Sequence, residues 1–300
     1  MSRSGTFNMA RQLTAGLLAG MLAGSCGRGE HVMPPAADLA PVQSIAGPSG
    51  AIACHVSGTG SPVPVVFVHS LAGSMDQWRP QIAHLRPSRR VVAIDLRGHG
   101  HSDPPSDGLY SPEAMAADII AVMASLNAPR FVLVGHSYGG SVAVAVAGLR
   151  PSQVSGLLLV DANGDVRSQA DGPLDDLITD LRSPEYELVI AARWEAVLKG
   201  AGLEVRRAVM DDLRRTPKAT VVGAFEAMGT FDPITHLRAY DGPTLSVITP
   251  LNDDPMSLHK QMTLDRRLVL GTSHWLQMDK PDVINAILDE FLARVDRREP

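Results

Sequence analysis

Phe131–Gly148, FVLVGHSYGGSVAVAVAG, is the stretch on which the fold turns. Four apolar residues lead into Gly135, Ser137 and Gly139, a GxSxG, and a run of small residues with helical character follows. A strand entering a helix through so short a turn forces the apex residue into strained backbone geometry, and flanking glycines let the two elements approach without side-chain collision. Ser137 is then left projecting alone from the turn, and the backbone N–H of Tyr138 follows it directly.

Outward from this turn the same alternation continues. Ala51–Val56, Pro64–His69, Val91–Leu96, Gly156–Ala162, Pro243–Thr249 and Arg266–Gly271 are short β-prone runs. The intervals leave room for helices, as at Pro112–Leu126 and Ser141–Leu149, and an amphipathic helix is expected over Asp282–Arg294. Continuous apolar strands alternating with helices predict an α/β fold with a mostly parallel sheet buried on both faces. Between residues 164 and 236 the pattern turns helical and charged, with Glu185–Gly200 and Leu203–Thr216 as the clearest amphipathic segments. That interval reads as a helical cap inserted into a core of residues 44–163 and 237–298.

The N-terminus has a different character. Arg3 and Arg11 precede an apolar stretch from Leu13 to Ala23 that ends in small residues and Cys26, the layout of an export signal over residues 1–25. The stretch is short for a membrane span, and polar, Pro-rich sequence follows it. Residues 26–43 read as a flexible tether. Leu17–Cys26, LLAGMLAGSC, resembles a bacterial lipoprotein signal, with Ala23 where leucine is usual. That resemblance implies a lipid on Cys26, membrane attachment and a cell-envelope location; simple secretion or a periplasmic location is the alternative. Cys54 is the only other cysteine, so lipidation or loss of Cys26 excludes an intramolecular disulfide. The formal charge of -5 and scattered basic residues argue against a nucleic-acid partner.

Val66–Trp78 (VFVHSLAGSMDQW), Asp95–Asp103 (DLRGHGHSD), GHSYGG and Gly271–Pro281 (GTSHWLQMDKP) together resemble the α/β-hydrolase superfamily, over nearly everything from Gly50 onward. The resemblance implies a serine hydrolase with Ser137 as nucleophile, His274 as general base and an oxyanion hole from the N–H groups of Tyr138 and Leu71. Ser70 stands where the family's HGxxG loop has glycine. For the triad acid, the family's commonest position falls in Thr249–Pro255 (TPLNDDP), which makes Asp253 the leading choice; Asp161 is the rival, taken from an earlier strand end, and Asp254 comes last. Asp95, Arg97, His99 and Asp103 are read as a structural loop rather than a metal site, and no metal or cofactor is expected.

The expected substrate is a small or medium carboxylic ester. A carbon–carbon bond hydrolase, lactonase or perhydrolase would use the same triad, whereas similar enzymes acting on epoxides or haloalkanes carry aspartate at the apex. Met210, Phe225, Met228 and Phe231 are candidate apolar lining of the pocket. A reading of another class is a lipid-tethered binding protein without catalysis.

Overall fold

The computed structural model describes residues 41–169 and 172–298. Eight strands form one sheet: β1 (Val42–Ala46), β2 (Ala51–Ser57), β3 (Ser61–Val68), β4 (Arg89–Ile94), β5 (Phe131–His136), β6 (Val154–Val160), β7 (Thr244–Ile248) and β8 (Arg266–Leu268). Their order is β1-β2-β4-β3-β5-β6-β7-β8. The β1–β2 and β2–β4 pairs are antiparallel, and every pair from β4 to β8 is parallel.

Residues in the central strands divide by parity between two cores, because successive side chains point to opposite faces. Val66 and Val68 of β3, Leu133 of β5 and Leu157 and Leu159 of β6 pack on one face, with α2 (Pro112–Ser125) and α3 (Tyr138–Leu149). Val65, Phe67, Val132, Val134, Leu158 and Val160 pack on the other. There they meet Ile82 and Leu85 of α1 (Arg79–Leu85) and Ile284, Leu288 and Phe291 of α11 (Pro281–Asp296). Burial on both faces is why these strands read as unbroken apolar runs.

The excursion between β6 and β7 carries α4 (Pro173–Arg182), α5 (Tyr186–Val197), α6 (Leu203–Arg215), α7 (Lys218–Met228) and α8 (Pro233–Arg238). The first four fall in the interval read from the sequence as a cap. The short α8 packs against α3, so the excursion rejoins the core a few residues before position 236. Two details differ from the sequence reading. The α3 helix begins at Tyr138, immediately after the serine, and β1 takes the last two residues assigned to the tether. The signal segment, Cys26 and the rest of the tether up to residue 40 lie outside the described residues.

Polar loop residues line up at the C-terminal ends of β3, β5, β6 and β7. His69, Ser137, Asp161 and Thr249 are the first residues beyond those four strands, and β8 leads into the loop that carries His274. In parallel sheets this edge is where ligands bind. A short α10 (Leu276–Asp279) follows that loop.

Candidate active site

Ser137 has φ +53° and ψ -119°, a conformation that costs a non-glycine residue on the order of 1–3 kcal/mol. The surroundings hold it there. Its N–H donates to Val160 O at 3.0 Å, and its carbonyl accepts from Gly140 N–H at 2.9 Å. A Cβ on Gly135 would lie 2.4 Å from Gly139 O, and one on Gly139 would lie 2.3 Å from His69 O. The two glycines of the motif are therefore demanded by close backbone approach. Tyr138 opens α3, so its N–H has no intrahelical acceptor. Its phenol is buried and donates to Tyr110 O at 2.5 Å.

His274 meets Asp161. The ring Nδ1 donates to Asp161 Oδ2 at 2.7 Å. Asp161 is fully buried, at φ +43°, directly after β6. Thr249 fixes its carboxylate: the Thr249 N–H donates to Oδ1 at 2.7 Å, and the hydroxyl lies 3.1 and 2.9 Å from the two oxygens. Asn252 Nδ2 holds the Asp161 carbonyl at 2.8 Å.

Asp253, the leading expectation for this contact, is elsewhere. Its carboxylate takes Lys260 at 2.8 Å, Arg266 at 2.9 Å and His259 at 3.2 Å. Lys260 first and Arg266 second hold it well below the usual carboxylate range. The expectation is corrected for a topological reason. The loop after β7 spends its first residue, Thr249, on fixing Asp161, and a 3-10 turn at Pro250–Asn252 then carries Asp253 to a basic surface cluster. Asp254 closes its own local turn, accepting from Met256 N–H at 2.7 Å.

The other face of the His274 loop is held by His136, beside the serine, and by groups to which the sequence reading assigned no role. His136 is buried, which keeps its pKa well below the ordinary histidine value, and it is neutral. Its Nε2–H donates to His274 O at 2.8 Å, while Nδ1 accepts from Gln277 at 3.1 Å. The N–H of His274 donates to Val197 O at 3.1 Å, at the end of cap helix α5. Asn163 approaches the serine: its N–H lies 3.4 Å from Ser137 O, and its amide donates to Met228 Sδ at 3.2 Å.

Leu71 lies in the tight turn after β3, closed by Gly73 N–H to Ser70 O at 3.1 Å, with Ala72 at φ +53°. Among the described residues no acceptor takes the Leu71 N–H. His69 braces this turn. Burial holds its pKa down at about 3, so Nε2 accepts from Leu96 N–H at 3.0 Å and Nδ1–H donates to Ser70 O at 2.7 Å. Ser70, in place of the usual glycine, donates to Gln77 Oε1 at 3.2 Å. Gln77 Oε1 also accepts from Trp275 Nε1 at 3.2 Å, and Gln77 Nε2 donates to Asp212 of α6 at 3.0 Å. One buried amide thus joins the Leu71 turn, the residue after His274 and the cap.

In the DLRGHGHSD loop, Asp95 accepts from the backbone N–H groups of Met75 (2.7 Å) and His101 (2.8 Å). Arg97 pairs bidentately with Asp118 at 2.6 and 2.8 Å. These groups brace loops at the edge of the site, as expected of a structural segment.

A family model described as the alpha/beta hydrolase fold matches residues 63–281, which include the Leu71 turn, the Ser137 turn, α4 to α8 and His274. The chain belongs to the α/β-hydrolase fold family. It is a hydrolase, which sets aside the reading as a binding protein without catalysis. It is similar to an esterase of Mycobacterium tuberculosis, with 26% identity over 257 residues, 77% of this chain and 84% of that protein. It is also similar to the mouse protein named epoxide hydrolase 4, with 24% identity over 276 residues, 80% of this chain and 75% of the relative. Among solved structures, a thermophilic esterase from Thermogutta terrifontis superposes with a TM-score of 0.72 at 24% identity, covering 85% of this chain and 99% of that one. That likeness is one of fold.

Proposed function

We propose that the chain hydrolyses small or medium carboxylic esters through an acyl-enzyme on Ser137. In this reading His274, oriented through Nδ1 by Asp161, takes the Ser137 hydroxyl proton at Nε2 as the oxygen attacks the ester carbonyl. The N–H groups of Tyr138 and Leu71 stabilise the oxyanion of the tetrahedral intermediate. His274 then returns the proton to the leaving alcohol, and water repeats the sequence on the acyl-enzyme. The buried Asp161 carboxylate, with Thr249 on its other side, fixes the imidazole tautomer and favours the imidazolium as it forms.

The observation that carries this reading is the 2.7 Å bond between His274 and Asp161, made where the loops after β6 and β8 meet the strained serine turn after β5. An epoxide-opening reading, raised by one relative's name, is disfavoured because serine rather than aspartate stands at the apex of the turn after β5. Ser137→Ala should abolish hydrolysis of p-nitrophenyl acetate while the protein stays folded. Activity in that variant close to the parent's would overturn the assignment. For location, the proposal is export with a lipid on Cys26, which N-terminal mass spectrometry of the mature chain tests.

A further inference from the structure

His136 precedes Ser137 directly, at the end of β5, and it is fully buried. An imidazole in a core is costly unless its nitrogens find partners. Here both partners belong to the segment that carries the base. Nε2–H donates to the His274 carbonyl at 2.8 Å, and Nδ1 accepts from the side chain of Gln277, three residues further on, at 3.1 Å. A carbonyl only accepts, so Nε2 carries the proton, and in the neutral ring Nδ1 is left as the acceptor. The indole rings of Trp78 and Trp275 pack against this imidazole nearly at right angles, with centroids 6.5 and 5.8 Å away.

His274 is anchored at its ring, at its N–H and at its carbonyl. Asp161, after β6, takes Nδ1 at 2.7 Å; Val197, at the end of α5, accepts from the N–H at 3.1 Å; His136 holds the carbonyl. Of these anchors only His136 belongs to the segment that carries the serine. The span is short, since the centroids of the His136 and His274 rings lie 4.8 Å apart. Both ends of the link are firm: the Ser137 N–H is tied to Val160 O at 3.0 Å, and Gln81 of α1 donates to Gln277 O at 3.0 Å. His136 therefore joins the serine turn directly to the main chain of the base, whereas the other anchors reach the base from elsewhere in the fold.

We infer that His136 is a positioning residue for the hydrolysis: by holding the His274 carbonyl it sets the distance from the imidazole to the Ser137 hydroxyl, and through that distance the rate of acylation. The inference rests on the esterase reading above. A base takes a proton only within hydrogen-bond reach, and a displacement of about 1 Å costs on the order of 10²-fold in rate. Because His136 touches neither the substrate nor the transferred proton, its loss leaves substrate binding in place and slows the chemical step.

The test follows the burst of p-nitrophenolate from p-nitrophenyl acetate by stopped flow, for the parent, His136→Leu, His136→Gln and Gln277→Leu. Leucine keeps apolar bulk and loses both hydrogen bonds, whereas glutamine keeps an N–H donor at about the reach of Nε2. In His136→Leu the acylation rate should fall about 10²-fold while the substrate Kd stays within about threefold of the parent's, and His136→Gln should recover at least about tenfold of the loss. Gln277→Leu takes the partner of Nδ1 and leaves His136 in place; its acylation rate should fall about tenfold, and it decides the matter if His136→Leu does not fold. Acylation at the parent's rate in the deciding variant overturns the inference, as does a loss that glutamine at position 136 does not relieve, and either result leaves the esterase reading standing. If the parent hydrolyses no ester, the esterase reading is what fails, and crystal structures of the parent and the deciding variant still settle the role of His136. A His274 ring moved by about 1 Å or more relative to the Ser137 turn supports it; an unmoved ring overturns it.

Discussion

At the scale of single residues, the acid carries the most information. Ser137 and His274 could be named as candidates because each sits in a local pattern: a strand, two glycines and a helix around the serine, and a strand, a glycine and a small residue before the histidine. Asp161 and Asp253 could not be ranked that way, because the choice depends on where a loop goes after it leaves the sheet. In the structure Thr249, the first residue after β7, holds the Asp161 carboxylate, and it is Asp161 that bonds His274. In the proposed mechanism Asp161→Asn leaves the packing intact but favours the wrong imidazole tautomer. Its kcat should fall on the order of 10⁴, the size of the same change in the serine-protease triad. Asp253→Asn only loosens a surface ion cluster, and its kcat should stay within about threefold of the parent. Steady-state kinetics on p-nitrophenyl acetate checks both, and equal losses would contradict the assignment.

At the scale of elements, the sheet was readable where burial on both faces left a continuous apolar run. The exception was β1, whose VQSIA residues are mostly exposed on an edge and carry no such run. Cap helices α5 and α6 were visible by their amphipathic spacing, but where they dock was not, since docking depends on polar groups far apart in the chain. Gln77 is the clearest case. Ser70, Trp275 and Asp212 converge on it from the turn after β3, the His274 loop and α6.

Gln77→Ala leaves a buried hydroxyl and an indole N–H without their acceptor and takes a donor from a buried carboxylate. A loss of stability of about 2–4 kcal/mol follows. Because the Ser70–Leu71 turn loses its anchor, kcat should fall more than KM rises. Thermal unfolding and ester kinetics together check this; a variant with the parent's melting temperature and kcat would show that the amide joins nothing of consequence.

Across the whole molecule, the two cores and the gathering of His69, Ser137, Asp161 and Thr249 at one edge of the sheet follow from strand parity and strand order. Ser70, standing where the family's HGxxG loop has glycine, is tied into the Gln77 network by its hydroxyl. Several histidines are buried as neutral groups, and this sets the response to acid. Burial first, opposed by the carbonyls of Arg97 and Leu96, holds His99 at about 4, against about 6.5 for an unfolded histidine. The unfolded chain therefore binds the proton first as pH falls, so the stability contributed by neutral His99 is present above 6.5 and is lost between about 6.5 and 4. His99→Gln removes the titrating group. The stability difference between parent and variant should shift by on the order of 3 kcal/mol toward the variant from pH 7 to pH 4. Urea unfolding at the two pH values measures it, and a difference independent of pH would contradict the neutral, buried state.

The central claim is that Ser137 is an activated nucleophile, and covalent capture tests it most directly. After incubation with a fluorophosphonate, intact-mass and peptide spectra should show one adduct, on the peptide that contains Ser137, absent from Ser137→Ala and strongly slowed in Asp161→Asn. An unlabelled parent, or an adduct that persists when Ser137 is replaced, would contradict the account.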